Sequence, residues 1–272
     1  MSAPDVAPAP GRHVVVTGAG TGIGRAIALR FAADGARLSL LGRRAAPLEE
    51  TLALAGGGGV ALPCDLRDGD AVGEALARAA EAHGTVDVAV ANAGVGGPNG
   101  PCFQEEGALD RFDDIVSTNL GGTYRFFRAA LDHLTPADPE AHGAGPRRHL
   151  VAVSSILARI GVAGYSGYCA SKAGVSGLVR ALAAELAPLH VQVNAVAPGW
   201  VETDMAWEGL DGMAAAMGID REAALEIAMK DVPLGRMGRP EEVAGLVAWL
   251  ASADAQGMTG QTVDMNGGAF MG

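Results

Sequence analysis

A chain of 272 residues that is 49% hydrophobic and 19% charged can bury a full core, and its length suits one large α/β domain. Its net charge of -11 argues against nucleic acid or an anionic membrane surface as a partner, so an anionic ligand needs a local positive site. Cys64, Cys102 and Cys169 are odd in number and show no metal-ligand spacing, which predicts buried reduced thiols, no metal and a cytoplasmic protein.

The Ala/Pro-rich residues 1–11 lack the basic and apolar regions of a signal peptide and read as a flexible leader. No uncharged apolar run reaches the ~20 residues that span a bilayer. An apolar run from His13 to Val16 then ends at Thr17-Gly18-Ala19-Gly20-Thr21-Gly22-Ile23-Gly24, after which Ala26, Ile27, Leu29 and Phe31 recur at helical spacing. Strand, glycine turn and helix in that order bring backbone close to a ligand and aim free N–H groups at it, which suits a pyrophosphate. A plain tight turn is the alternative in a chain carrying 40 Gly.

The second apolar run, Leu38 to Leu41, ends in Gly42-Arg43-Arg44, where the ribose of a dinucleotide lies in such a fold. An acidic residue there suits the 2′-hydroxyl of NAD(H). Two arginines suit a 2′-phosphate, so NADP(H) is favoured, with NAD(H) as the alternative, unless they only solvate a helix start. Val60 to Pro63 predicts a third strand after a surface turn at Gly56 to Gly59, Asp70 to His83 a helix, and Val86 to Ala91 a fourth strand closed by Asn92-Ala93-Gly94. Strands that are apolar throughout and alternate with helices predict a parallel sheet of about seven strands covered on both faces, a doubly wound α/β fold.

Phe112 to Leu131 reads as one long helix carrying Asn119, which such a context places at the surface. Pro136 to Arg148 reads as a flexible loop, Leu150 to Val153 as the fifth strand, Tyr165 to Leu186 as a helix and Val191 to Val196 as the sixth strand, ending in Pro198-Gly199-Trp200-Val201-Glu202-Thr203. Asp204 to Met237 holds Met205, Met213, Met217 and Met229 and predicts either a lid over an apolar ligand or ordinary helix packing. A helix at Glu241 to Leu250 and a short strand at Thr262 to Asp264 complete the chain.

Tyr168 and Lys172 stand out because Lys172 and Lys230 are the chain's two lysines. Four apart on a helix, they share a face. An ammonium beside a phenol stabilises its phenolate and lowers a pKa that is normally near 10, which makes the tyrosine a usable acid or base. The alternative is a surface helix pair.

Taken together, Thr17-Gly18-x-x-x-Gly22-x-Gly24, Asn92-Ala93-Gly94, Asn119, Ser155, Tyr168-x-x-x-Lys172 and Pro198-Gly199 resemble the short-chain dehydrogenase/reductase family in order and spacing, from about residue 12 to the C-terminus. The resemblance implies a Rossmann-type fold in which Tyr168 is the general acid or base, Lys172 lowers its pKa and bonds the nicotinamide ribose, Ser155 bonds the substrate oxygen and Asn119 holds a water leading to Lys172. It places Gly18, Thr21, Ile23 and Gly24 at the pyrophosphate, Asp65 and Leu66 at the adenine, and Asn92, Ala93 and Gly94 at the adjoining ribose. Pro198, Val201 and Thr203 fall at the nicotinamide.

The family's NADP(H) users often carry a basic residue inside the glycine motif. Here Ala19, Gly20 and Thr21 occupy it, so cofactor choice rests on Arg43 and Arg44. The expected activity is hydride transfer between NADP(H) and a carbonyl or secondary alcohol in a homotetramer built through the Phe112 and Tyr165 helices. A largely apolar substrate is expected between residues 95–103, 156–165 and 205–229. The competing readings are a 3-oxoacyl thioester reductase, an NAD-linked alcohol, polyol or steroid dehydrogenase, and a catalytically silent cofactor-binding sensor.

Overall fold

A computed structural model describes residues 11–100, 110–134 and 148–272; the expected leader at 1–11 apart from Gly11, most of the loop at 136–148, Cys102 and Phe103 lie outside them. Seven strands form one parallel sheet: β1 (His13–Thr17), β2 (Arg37–Gly42), β3 (Gly59–Pro63), β4 (Val88–Ala91), β5 (Arg148–Val153), β6 (Val191–Pro198) and β7 (Thr262–Met265). They run in the order β3-β2-β1-β4-β5-β6-β7. The order reverses between β1 and β4, and the crevice beyond the carboxyl ends at that point is where an open α/β sheet binds ligands.

The strand residues divide between two apolar clusters. Val15, Leu41, Ala89 and Leu150 face one way and meet Val72, Leu76, Phe126, Phe127 and Val179. Val14, Val16, Leu40, Val90 and Val151 face the other way and meet Ile27, Phe31, Leu48 and Val247. Since both strand faces are buried, the runs are apolar without alternation. Burying one such side chain contributes about 1.5–3 kcal/mol, so the two layers dominate the favourable side of folding.

The helices are α1 (Gly22–Ala33), α2 (Ala45–Leu54), α3 (Gly69–His83), α4 (Phe112–Val116), α5 (Gly122–Leu131), α6 (Ser166–Leu186), α7 (Asp204–Met217), α8 (Arg221–Lys230) and α9 (Pro240–Leu250). The expected single helix from Phe112 to Leu131 is in fact α4 and α5 joined by one π-helical turn, Ser117–Gly121. The fourth strand is shorter than its apolar run, because Val86 makes only an isolated bridge to Leu134. Gly59 belongs to β3 rather than to the preceding turn, and a side chain there would meet the Leu38 carbonyl across the strand pair. Arg148, at the end of the expected loop, is a buried first residue of β5. No helix among the described residues is long and apolar enough to cross a membrane.

Candidate active site

Every strand that borders the crevice delivers a sequence-predicted site residue at its carboxyl end. After β1 the backbone turns at Gly18 with φ +65, a left-handed value that favours glycine. A Cβ at Gly18 would lie 2.8 Å from Ala93 Cα, and one at Gly24 would collide with the Gly18 carbonyl and the Asn92 amide. The glycines therefore let the turn after β1 nest against Asn92-Ala93-Gly94 after β4. Asn92 donates through Nδ2 to the carbonyls of Thr17 (3.0 Å) and Gly18 (3.2 Å). Thr17 Oγ1 accepts from the N–H groups of Asn92 (3.0 Å) and Ala93 (3.1 Å), a role its place at a strand end did not reveal.

Thr21 is the exposed N-cap of α1 and makes no side-chain cap bond, while Ile23 is half-buried in the first turn of α1. Arg25 donates to the Gly20 carbonyl through Nε (3.0 Å) and Nη2 (2.7 Å), which fixes the turn's shape. On the adjacent strand end, Arg43 and Arg44 are exposed and make no hydrogen bond or ion pair among the described residues. Nearby Asp65 is paired with Arg67 at 2.6 Å; that hydrogen bond holds its carboxyl below the usual range, and Arg43 acts in the same direction from a distance. Leu66 beside it is buried.

The expected surface position of Asn119 is overturned: it is 1% exposed. The π turn carries it inward, where Oδ1 accepts from Val95 N–H (2.8 Å) and Nδ2 donates to the Val95 carbonyl (3.0 Å) and Ser171 Oγ (3.2 Å). A helix interior lowers the odds of such a residue being buried only when its side chain lacks partners, and here loop and helix supply them. Ser171 in turn donates to the Tyr168 carbonyl at 2.8 Å.

Ser155 follows β5, accepts from Leu157 N–H at 3.2 Å and lies by the Tyr168 hydroxyl, close enough to favour its phenolate. Its neighbour Ser154 faces away and donates to the Lys172 carbonyl at 3.0 Å. Lys172 is buried, with Nζ donating to the Val153 carbonyl at 2.9 Å and lying 5.6 Å from the Tyr168 ring centroid. Gly94 fits between Asn119 and Lys172: a Cβ there would be 3.1 Å from Asn119 Oδ1 and 3.6 Å from Lys172 Nζ.

The electrostatics differ from the expectation of a simple lowering. Burial pushes the Tyr168 phenol up, and the Ser155 hydroxyl opposes it. Burial also pulls the Lys172 ammonium down to about 8, because the charge is held in low dielectric without a carboxylate partner. The rare lysine is therefore not the main influence on the phenol in this arrangement; burial is, and Ser155 is what opposes it.

Pro198 ends β6 buried, and Val201 is buried beside it. Thr203 caps α7, accepting from Ala206 N–H at 3.3 Å, and packs on the glycine turn, where a Cβ at Gly22 would meet its methyl at 3.1 Å. The stretch after it forms α7 and α8. The Met205 thioether lies on Gly96, whose added Cβ would be 2.9 Å from Sδ, so α7 reaches the loop after β4 across the crevice. Cys64 is buried and Cys169 only partly so, and both are free thiols. Among the described residues no group of side chains could hold a metal.

Residues 18–269 match a family model described as enoyl-(acyl carrier protein) reductase. The chain is 37% identical over 257 residues to the short-chain reductase protein NovJ of Streptomyces niveus, covering 93% of this chain and 92% of that protein. It is 34% identical over 261 residues to the 3-oxoacyl-[acyl-carrier-protein] reductase MabA of Mycobacterium bovis, covering 96% and 94%. A crystal structure of a variant actinorhodin polyketide ketoreductase with NADPH superposes with a TM-score of 0.85 at 35% identity, covering 95% of this chain and 97% of that one.

Proposed function

The chain belongs to the short-chain dehydrogenase/reductase family of NAD(P)-dependent oxidoreductases acting on CH–OH and C=O groups, and on that premise we propose that it reduces a ketone with NADPH. The observation that carries this reading is the placement of the Ser155 and Tyr168 hydroxyls beside buried Lys172. Two hydroxyl donors meeting at one place suit an oxygen that gains charge and then a proton, as a carbonyl oxygen does. Reduction of a carbon–carbon double bond, by contrast, delivers the proton to carbon.

The residues present fit the dinucleotide. Gly18 and Gly24 let the turn after β1 nest closely on the Asn92 turn, and the start of α1 behind it supplies N–H groups for the pyrophosphate. Asp65 and Leu66 would border the adenine, Asn92 to Gly94 the ribose next to it, and Pro198, Val201 and Thr203 the nicotinamide. When bound, the cofactor supplies the hydride. Ser155 orients the substrate oxygen, Tyr168 delivers the proton to it, and Lys172 with Asn119 backs the tyrosine from the protein side.

The exposed guanidinium groups of Arg43 and Arg44, without partners among the described residues, support the preference for a 2′-phosphate. A charge-assisted contact of this kind contributes about 1.5–3 kcal/mol. Arg43→Ala is thus expected to weaken NADPH binding roughly 10- to 100-fold while leaving NADH nearly unchanged. Titration of both cofactors by fluorescence checks this, and equal losses would remove Arg43 from the 2′ end.

A 3-oxoacyl thioester is the second reading, favoured by the similarity to the mycobacterial reductase, while the Met-rich stretch after Thr203 counts against it. A panel of free ketones and acyl thioesters, followed by nicotinamide absorbance, decides between them. The reading includes residues 12–272 as one catalytic domain with 204–237 over the substrate. It also includes assembly as a homotetramer, which the exposed Phe112 and Tyr124 on α4 and α5 support.

A further inference from the structure

The catalytic helix lacks a cap of its own. Tyr165 holds the N-cap position of α6 and makes no side-chain cap bond, and Tyr168 is only the third residue of the helix. The free N–H groups of a first turn need partners, and the missing one comes from the loop after β4. Asn99, 5% exposed, accepts from Gly167 N–H through Oδ1 at 2.8 Å. Its side chain also meets Ser166 Oγ, donating through Nδ2 at 3.1 Å and accepting through Oδ1 at 3.3 Å, and its own N–H donates to the Gly164 carbonyl at 2.9 Å. Gly167 leaves room for this: a Cβ there would be 3.3 Å from Asn99 Oδ1 and 3.2 Å from Phe112.

The same loop is bound at its other end, where Val95 exchanges two hydrogen bonds with Asn119. Asn119 bonds Ser171, and Ser171 bonds the Tyr168 carbonyl. The bonds therefore close a ring running from Asn119 through Val95, the loop, Asn99, the first turn of α6 and Ser171 back to Asn119.

We propose that Asn99 is a positioning residue for Tyr168: through this ring it fixes the first turn of α6 against the β4 loop, so that the tyrosine hydroxyl stays in register with Ser155 and Asn119. The inference rests on the reading of Tyr168 as the proton donor. A tether of this kind acts on orientation, and small misplacements of a reacting group cost rate more than affinity.

The test compares Asn99→Ala and Asn99→Asp with wild type. Hydrogen exchange of peptides spanning 164–172, read by mass spectrometry, reports the ring without any substrate. Alanine is expected to speed exchange there, and aspartate, which keeps the acceptor, is expected to restore the wild-type rate. In turnover, alanine is expected to lower kcat roughly tenfold with the NADPH dissociation constant unchanged. The titratable groups facing Tyr168 are Lys172, Tyr165 and Cys169 on α6, and Ser155 lies by its hydroxyl after β5. To these, aspartate adds a negative charge near the start of the helix, which raises the phenol and moves the high-pH limb of kcat upward.

Unchanged exchange in Asn99→Ala, a loss of cofactor affinity matching the loss of kcat, or an unmoved limb in Asn99→Asp would each overturn the proposal. If the alanine variant does not fold, the limb and exchange of the aspartate variant decide it. Wild type and Tyr168→Phe are run in the same series. A wild type without ketone reductase activity counts against the reductase reading, and altered exchange in Asn99→Ala still reports the ring.

Discussion

Tyr168→Phe is expected to keep NADPH binding within about twofold of wild type and to lower kcat by more than about a hundredfold, the range that a positioned general acid supplies. The ring of the tyrosine contributes packing and the hydroxyl contributes the proton, so phenylalanine removes one without the other. Ser155 loses its hydroxyl neighbour in the variant, but it still accepts from Leu157 N–H, and the start of the turn after β5 stays in place. Rapid mixing of enzyme, NADPH and ketone separates the binding and reduction steps. Near-normal reduction by the variant would remove Tyr168 from the chemistry and leave the silent-sensor reading standing.

Lys172→Met is expected to separate activity from stability. Activity should fall about a hundredfold or more, because the backing charge behind the phenol is gone. Stability responds differently. A lysine held at about 8 in the folded chain and near 10.5 when unfolded reflects about 3 kcal/mol of burial penalty for the charged form. Against it stands the Nζ bond to the Val153 carbonyl, whose loss leaves an acceptor costing about 1–3 kcal/mol if unsatisfied. Near neutral pH the two effects are comparable, and the variant should unfold close to wild type.

The sign with pH follows from proton counts. Between about 8 and 10.5 the unfolded wild type holds a proton that the folded chain has released, so wild-type stability rises with pH through that window and is lost again as pH falls through about 8. The methionine variant lacks this dependence. Urea unfolding of both proteins from pH 7 to pH 10 should therefore show wild type gaining on the variant, and parallel curves would mean that the lysine is not buried as a charge.

The sheet was readable because its strands are buried on both faces and end in glycine, arginine or asparagine at positions a dinucleotide fold uses. Tyr168 and Lys172 were readable because the chain is so poor in lysine and the two residues share a helical face. Asn119 was misplaced for a specific reason: residue type alone puts an asparagine within a helix at the surface, whereas here it lies in a π turn and finds partners in Val95 and Ser171. The choice of Ser155 over Ser154 came from family spacing, since both are small polar residues at a strand end; only the geometry shows Ser154 bonded to the Lys172 backbone. The roles of Thr17, Ser171 and Asn99 stayed invisible because each rests on a contact with a distant segment, and such contacts leave no periodic or compositional mark. The phenol's shift was misjudged because sequence shows proximity along a helix but not burial.

The central claim is hydride delivery to a carbonyl carbon with a proton from Tyr168 to its oxygen. It is tested most directly by reacting the enzyme with NADPH deuterated at the transferring position, offering ketones and enoyl thioesters together, and reading the products by mass spectrometry. One deuterium on the carbinol carbon of a ketone-derived alcohol, absent in Tyr168→Phe, is the predicted result. Deuterium only in a saturated acyl product, with every ketone unlabelled, would contradict it.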